Sequence, residues 1–252
     1  MDGTPSGRWT ETDFGMANAV ALDVTSAGKP LILHHHNSGI FLLSPSGHTG
    51  LEYNLLSAGS MGQSMGIDTD SNGYQRIGFA SEPLSQILYS EGSSTGWTSS
   101  QVRGSIDLLY PIDVHVDSND LTNLIYVDDV EHMVQLATYN SSWSTLDLIN
   151  TTIGDDFDSL WLDHSRILLA QIAPLNNSTA LQVIEFDAPN ATGIRNYTTS
   201  NIAIASTASV LEIEMVNETT IGLAWMDADR LKIVERNIDG ANWDVVEDTW
   251  LL

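Results

Sequence analysis

Apolar and polar residues alternate in short runs along almost the whole chain, and the runs return in step. The clearest is Ser64 to Gly73, SMGIDTDSNG, in which Met65 and Ile67 flank Gly66 and an acid opens a turn rich in Asn, Asp and Gly. Degenerate copies stand at Ala19 to Asp23, Asp113 to Asp117, Ser159 to Asp163 and Val210 to Glu214. Aligned on their final acid, they give the apolar pairs Val20/Leu22, Met65/Ile67, Val114/Val116, Leu160/Leu162 and Leu211/Ile213. Period-two alternation of this kind marks a β-strand with one face in a core. The middle column is mixed (Ala21, Gly66, His115, Trp161, Glu212), and the closing column is acidic in every copy (Asp23, Asp68, Asp117, Asp163, Glu214).

Each copy leads into a turn and then a second apolar run, as in Leu31 to Leu33, Arg76 to Phe79, Leu124 to Val127, Ile167 to Ile172 and Ile221 to Met226. A third run follows, and a fourth is introduced by an aromatic: Tyr53, Trp97, Trp143, Tyr197 or Trp243. Turn signals separate strands at about ten-residue intervals, and helical periodicity is nowhere sustained. Four short strands per unit, at a period in the forties, predict an all-β chain folded as a β-propeller of about five four-stranded blades. The approximate blades are 15–57, 62–103, 110–151, 158–200 and 207–249, within a single domain over 1–252. Arg8 to Phe14, RWTETDF, is a surplus N-terminal strand with the aromatic-led pattern of a fourth strand. It either replaces or extends the last strand of a closed five-bladed ring, the preferred account, or is the remnant of an upstream blade in a longer protein.

The repeat, as in GIDTDSNGYQRIGFASEPLSQILYSEGSSTGW, resembles those of the sialidase-like propeller group over nearly the whole chain. That resemblance implies the fold and not an activity. The group's Asp-box is only echoed, by Ile238 to Trp243 and Ser93 to Trp97, and no arginine triad for a carboxylate can be assigned.

Charge narrows the partners. With 9 Lys and Arg against 33 Asp and Glu, the net charge of −24 repels phosphate backbones and anionic lipid. Nucleic acid is excluded as an expected partner, and no apolar run is long enough to insert in a membrane. The 42% hydrophobic content is that of a packed globule. With no cysteine, neither disulfides nor thiolate chemistry is available, so packing must supply the stability. Asn-x-Ser/Thr sequons at Asn140, Asn150, Asn176, Asn177, Asn190, Asn196 and Asn217 point to an exported, surface-associated glycoprotein. The alternative is that Asn, Ser and Thr are simply common turn residues. Acids spread along the chain suit a solvated surface.

Candidate chemistry is sparse. The acidic column sits where a strand enters its turn, where Asp caps turn N–H groups; Asp68, Asp70 and Asn72 could instead present alternating oxygens to calcium, the one cofactor in view. His34, His35 and His36 alternate faces on a strand and lack a third metal ligand nearby, so they are read as half-buried or edge residues. His115, Trp161 and Glu212 either line a central channel as a ligand site or, the preferred account, pack against a neighbouring blade. Arg103, Asp107 and Tyr110 with Asp155, Asp156 and Asp158 form the most polar stretch of the rim built by inter-blade loops, where propellers usually bind ligands. No catalytic residue is assigned. The expected function is therefore a non-catalytic domain binding protein or glycan; a glycan-active hydrolase or lyase using rim carboxylates, and a structural spacer, are the alternatives.

Overall fold

The fold is described from a computed structural model over residues 17, 19–25, 27–36, 39–46, 50–58, 64–81, 84–93, 96–104, 110–128, 130–131, 133–150, 157–163, 166–175, 178–187, 197–205 and 208–250. These residues form twenty strands in five four-stranded antiparallel sheets, each sheet made of four consecutive strands in chain order. Blade 1 is β1 (Ala19–Val24), β2 (Pro30–His36), β3 (Gly39–Ser46) and β4 (Gly50–Ala58). Blade 2 is β5 (Met65–Thr69), β6 (Gln75–Ser81), β7 (Gln86–Ser93) and β8 (Gly96–Gly104). Blade 3 is β9 (Ile112–Val116), β10 (Thr122–Asp128), β11 (Met133–Tyr139) and β12 (Trp143–Asn150). Blade 4 is β13 (Phe157–Asp163), β14 (Arg166–Leu175), β15 (Ser178–Asp187) and β16 (Tyr197–Ala205); blade 5 is β17 (Ala208–Asn217), β18 (Thr220–Asp227), β19 (Arg230–Asn237) and β20 (Asp244–Trp250). The chain is a five-bladed β-propeller. The surplus strand expected over Arg8 to Phe14 lies outside the described residues.

The blades are held together face to face. Among the described residues four apolar cores form, each between consecutive blades. Leu31, Leu33, Ile40 and Leu42 of blade 1 meet Met65, Ile67, Ile77 and Phe79 of blade 2. Ala80, Ile87 and Tyr89 meet Ile112, Val114, Leu124 and Tyr126. Two more cores join blades 3 and 4, and 4 and 5. Close approach at the hub needs a missing side chain: a Cβ on Gly66 would lie 2.5 Å from the Ile112 carbonyl oxygen. In every blade the pairing of the third and fourth strands carries one register shift, between Ile40/Phe41, Ile87/Leu88, Val134/Gln135, Leu181/Gln182 and Ile233/Val234. Such a bulge adds twist to the outer edge of each blade.

The turns correct the alignment of the repeat. The Thr25 N–H donates to the Lys29 carbonyl, Asp70 to Tyr74 and Asp117 to Leu121, so Thr25, Asp70 and Asp117 are equivalent. Three residues on, Gly28, Gly73 and Asp120 take φ of +71°, +83° and +60°. Asp68 therefore matches His115 and not Asp117, and the blade 3 pair equivalent to Met65/Ile67 is Ile112/Val114. In blade 4 Leu160 and Leu162 pack towards blade 5 while Phe157 and Trp161 pack towards blade 3, so the aligned pair there is one residue out. In blade 3 the aligned acid is two residues out of register. A slip of two keeps every side chain on its own face, so alternation alone cannot detect it. A second correction follows for function: Asp70 and Asp117 cap turns, each accepting two turn N–H groups, whereas Asp23 and Asp68 bridge blades.

Candidate functional site

The inner strands β1, β5, β9, β13 and β17 line a central channel of about 670 Å³. His115, Trp161 and Glu212 all line it. The His115 ring stacks on the Trp161 indole with centroids 4.9 Å apart and planes 9° from parallel. Acids ring the same space. Asp23 accepts the Thr69 hydroxyl at 2.5 Å, Asp68 accepts the Val116 N–H at 2.6 Å, Asp113 accepts the Ser159 hydroxyl, and Asp158 accepts the Ile213 N–H at 2.7 Å. Each bond runs from one blade to the next, so these carboxylates stitch the hub. Burial pushes the Asp68 carboxyl up to about 6. It also raises Asp113, and burial followed by the Asp113 charge raises Asp158. Raised carboxyls are often a sign of acid–base work; here each one is also bonded to the neighbouring blade.

The rim stretch singled out in the sequence is divided. Arg103 bonds Asp128 at 2.8 Å and Glu131 at 2.9 Å, tying β8 to blade 3. Tyr110 packs against the core of blades 3 and 4, and Asp158 belongs to the hub. Asp107, Asp155 and Asp156 lie outside the described residues.

The turn Asp68 to Gly73 directs its oxygens to protein donors. Asp70 accepts the N–H groups of Asn72 and Tyr74 at 2.9 and 2.8 Å and pairs with Arg76 at 2.7 Å. Asn72 donates to Asp120 of blade 3. Among the described residues no group of three or more His, Asp or Glu is placed to hold a metal ion. His34 and His35 are buried within blade 1 rather than half-buried or at an edge, and His34 stacks on Phe41 at 5.4 Å. Of the sequon residues, Asn140 is exposed in a turn; Asn217 is exposed and accepts the Thr219 N–H; Asn150 ends β12. Asn176, Asn177, Asn190 and Asn196 lie outside the described residues.

A second pocket, of about 310 Å³, opens on blade 2 and is lined by Tyr74, Arg76, Glu91, Gly92, Gly96 and Thr98. It lies between the β5–β6 turn and the β7–β8 hairpin, at the opposite end of the blade from the loops expected to bind. Antiparallel register puts Arg76 directly across from Glu91, and the two form an ion pair. Arg76 is fixed further by Asp70 and by the Tyr89 hydroxyl at 3.0 Å, and that hydroxyl donates to Glu91 at 2.8 Å. Burial pushes the Tyr89 phenol up to about 12, so it remains a neutral donor. Tyr74, 49% exposed, lines the same pocket, and a Cβ on Gly96 would meet nothing within 4 Å. Sequence reasoning missed the site. Its signal is one of the few basic residues facing an acid across two adjacent strands beside an exposed aromatic.

No family model matches the chain, and no curated protein matches it in sequence. Solved structures match its fold. A fucose-specific lectin from Aleuria aurantia is similar over 91% of this chain and 78% of its own, at 11% identity and a TM-score of 0.62. A point mutant of that lectin, in complex with alpha-methyl-L-fucoside, gives a TM-score of 0.63 at 10% identity with the same coverage. A bifunctional GH43-CE protein of Bacteroides eggerthii is similar over 88% of this chain at 10% identity and a TM-score of 0.53, with 34% of its own length covered. At such identities the likeness is one of fold.

Proposed function

We propose that this propeller is a non-catalytic carbohydrate-binding domain, and that the pocket of Tyr74, Arg76 and Glu91 holds the sugar. The observation that carries this reading is that a preset guanidinium–carboxylate pair and an exposed aromatic side chain line one pocket of about 310 Å³. A pyranose offers matching chemistry: vicinal hydroxyls that accept from Arg76 and donate to Glu91, and an apolar C–H face that covers Tyr74. Because Arg76 is already neutralised by Asp70 and Glu91, and the chain carries −24 overall, the preferred ligand is a neutral sugar rather than a sialic or uronic acid. Lectin propellers among the fold neighbours support the reading, and their fucosides are natural first probes. We also take the domain to belong to an exported, surface-associated glycoprotein. The exposed sequon residues Asn140 and Asn217 support this. Among the described residues no helix is long and apolar enough to cross a membrane.

A glycan array read for both binding and cleavage tests the proposal. Retention of neutral, fucose-type glycans without cleavage is expected. Cleavage would favour the hydrolase or lyase alternative, and silence throughout would favour the spacer.

A further inference from the structure

The row Val20, Leu22 and Val24 occupies one face of β1. By turn register Val20 is equivalent to Met65 and Ile112, and Leu22 to Ile67 and Val114. Those four residues pack on the preceding blade and are 8%, 5%, 8% and 6% exposed, respectively; Val20 and Leu22 are 61% and 62% exposed. The other end of the ring mirrors this. In β17 Leu211 and Ile213 pack on blade 4, while Glu212 and Glu214, on the opposite face, are exposed.

We propose that the ring is open between blade 5 and blade 1, and that this opening receives a further four-stranded blade of the same repeat, carried on polypeptide continuous with the five described. The hub bonds say what the newcomer must bring. In each described junction a carboxylate accepts an N–H or hydroxyl from the following inner strand: Asp23 from Thr69, Asp68 from Val116, Asp113 from Ser159, Asp158 from Ile213. Asp23, Asp68 and Asp158 also accept the N–H of the residue that follows each of them. Glu214 has this second half of the pattern, accepting the Met215 N–H at 3.2 Å. A following inner strand completes it by donating to Glu214. On its other face the added blade presents a row like Leu31, Leu33, Ile40 and Leu42, which is what covers Met65 and Ile67. One four-stranded layer supplies both faces, and the four existing junctions are continued without a new type of contact.

The chain has no cysteine, so paired spin labels can be placed cleanly on exposed turn positions. Asn72→Cys with Asn119→Cys gives the spacing of adjacent blades, and Ala27→Cys with Asn119→Cys the spacing of blades one apart. The pair Ala27→Cys with Glu218→Cys reads the opening. We expect its distance to match the spacing of blades one apart, and Leu22→Glu to leave the Tm of the 252-residue chain unchanged. Appending a second copy of residues 64–104 after Leu252 should raise the Tm by several degrees and make Leu22→Glu destabilising. The proposal is overturned by an adjacent-blade distance, by a fall in Tm for Leu22→Glu in the chain as it stands, or by no gain from the added blade. It is equally overturned by a dimer in sedimentation that Leu22→Glu dissociates, since the occupant would then be a second copy.

Discussion

The Asp68 carboxylate accepts the Val116 N–H at 2.6 Å across 48 residues of sequence, joining the inner strands of blades 2 and 3. Asp158 accepts the Ile213 N–H across junction 4/5 and Asp23 the Thr69 hydroxyl across junction 1/2, so a half-buried acid is the recurring fastening of the hub. The fastening is sensitive to pH. Burial raises Asp68 from 3.8 to about 6 against the opposing pull of its two N–H donors. The folded protein therefore holds a proton between about pH 4 and 6 that the unfolded chain has released. Stability from this group is full below about pH 4 and is lost as pH rises through 6. Asp158 and Asp113, raised for the same reason, act in the same direction. The Tm should rise by several degrees as pH falls from 8 to 5. Asp68→Asn keeps an acceptor for Val116 but cannot ionise, and should flatten the profile and raise the Tm at pH 8. Scanning calorimetry across that range decides it; a Tm that falls steadily from pH 8 to 5 contradicts it.

Gly66 of β5 lies against the backbone of Ile112 and Val114 in β9. Gly66→Ala sets a methyl 2.5 Å from the Ile112 carbonyl oxygen, a backbone atom that cannot swing aside. Overpacking of this kind costs about 1–3 kcal/mol. Urea denaturation should show a lower midpoint for this variant at an unchanged m-value.

Asp120 occupies the left-handed region at φ +60° and accepts the N–H and hydroxyl of Ser71 in the neighbouring blade. Asp120→Ala keeps the strain and loses the link, while Asp120→Gly loses the link and relieves the strain. Thermal melts should rank wild type and the Gly variant above the Ala variant.

Because the Asp70 oxygens are engaged by Asn72, Tyr74 and Arg76, neither calcium nor EDTA should move the Tm. A calcium-dependent rise would place a ligand in that turn.

Much of this architecture was legible in the sequence. The period-two pairs, the ten-residue turn spacing and the aromatic-led fourth strands give twenty strands in five blades. What escaped was phase and pairing. The two-residue slip in blade 3 preserved every face, so Asp68 looked like a turn cap and the true cap, Asp70, like a calcium ligand. The Arg76–Glu91 pair is created by the register of β6 on β7, fifteen residues apart in sequence. No local pattern distinguishes that acid from the 32 others. His115, on the face of β9 towards blade 4, and Trp161, on the face of β13 towards blade 3, are not equivalent positions of the repeat; they meet as a stacked pair because the ring brings opposite faces of their strands together.

The most direct test of a sugar site on blade 2 is calorimetric titration of the wild-type protein and Tyr74→Ala with the neutral glycan that the array retains best. Tyr74 is half exposed and its turn is held by backbone bonds, so the variant should fold unchanged. Saturable binding that weakens about tenfold, or roughly 1.4 kcal/mol, in Tyr74→Ala is expected. Equal affinity in the two proteins, or no binding of any neutral glycan, would contradict it.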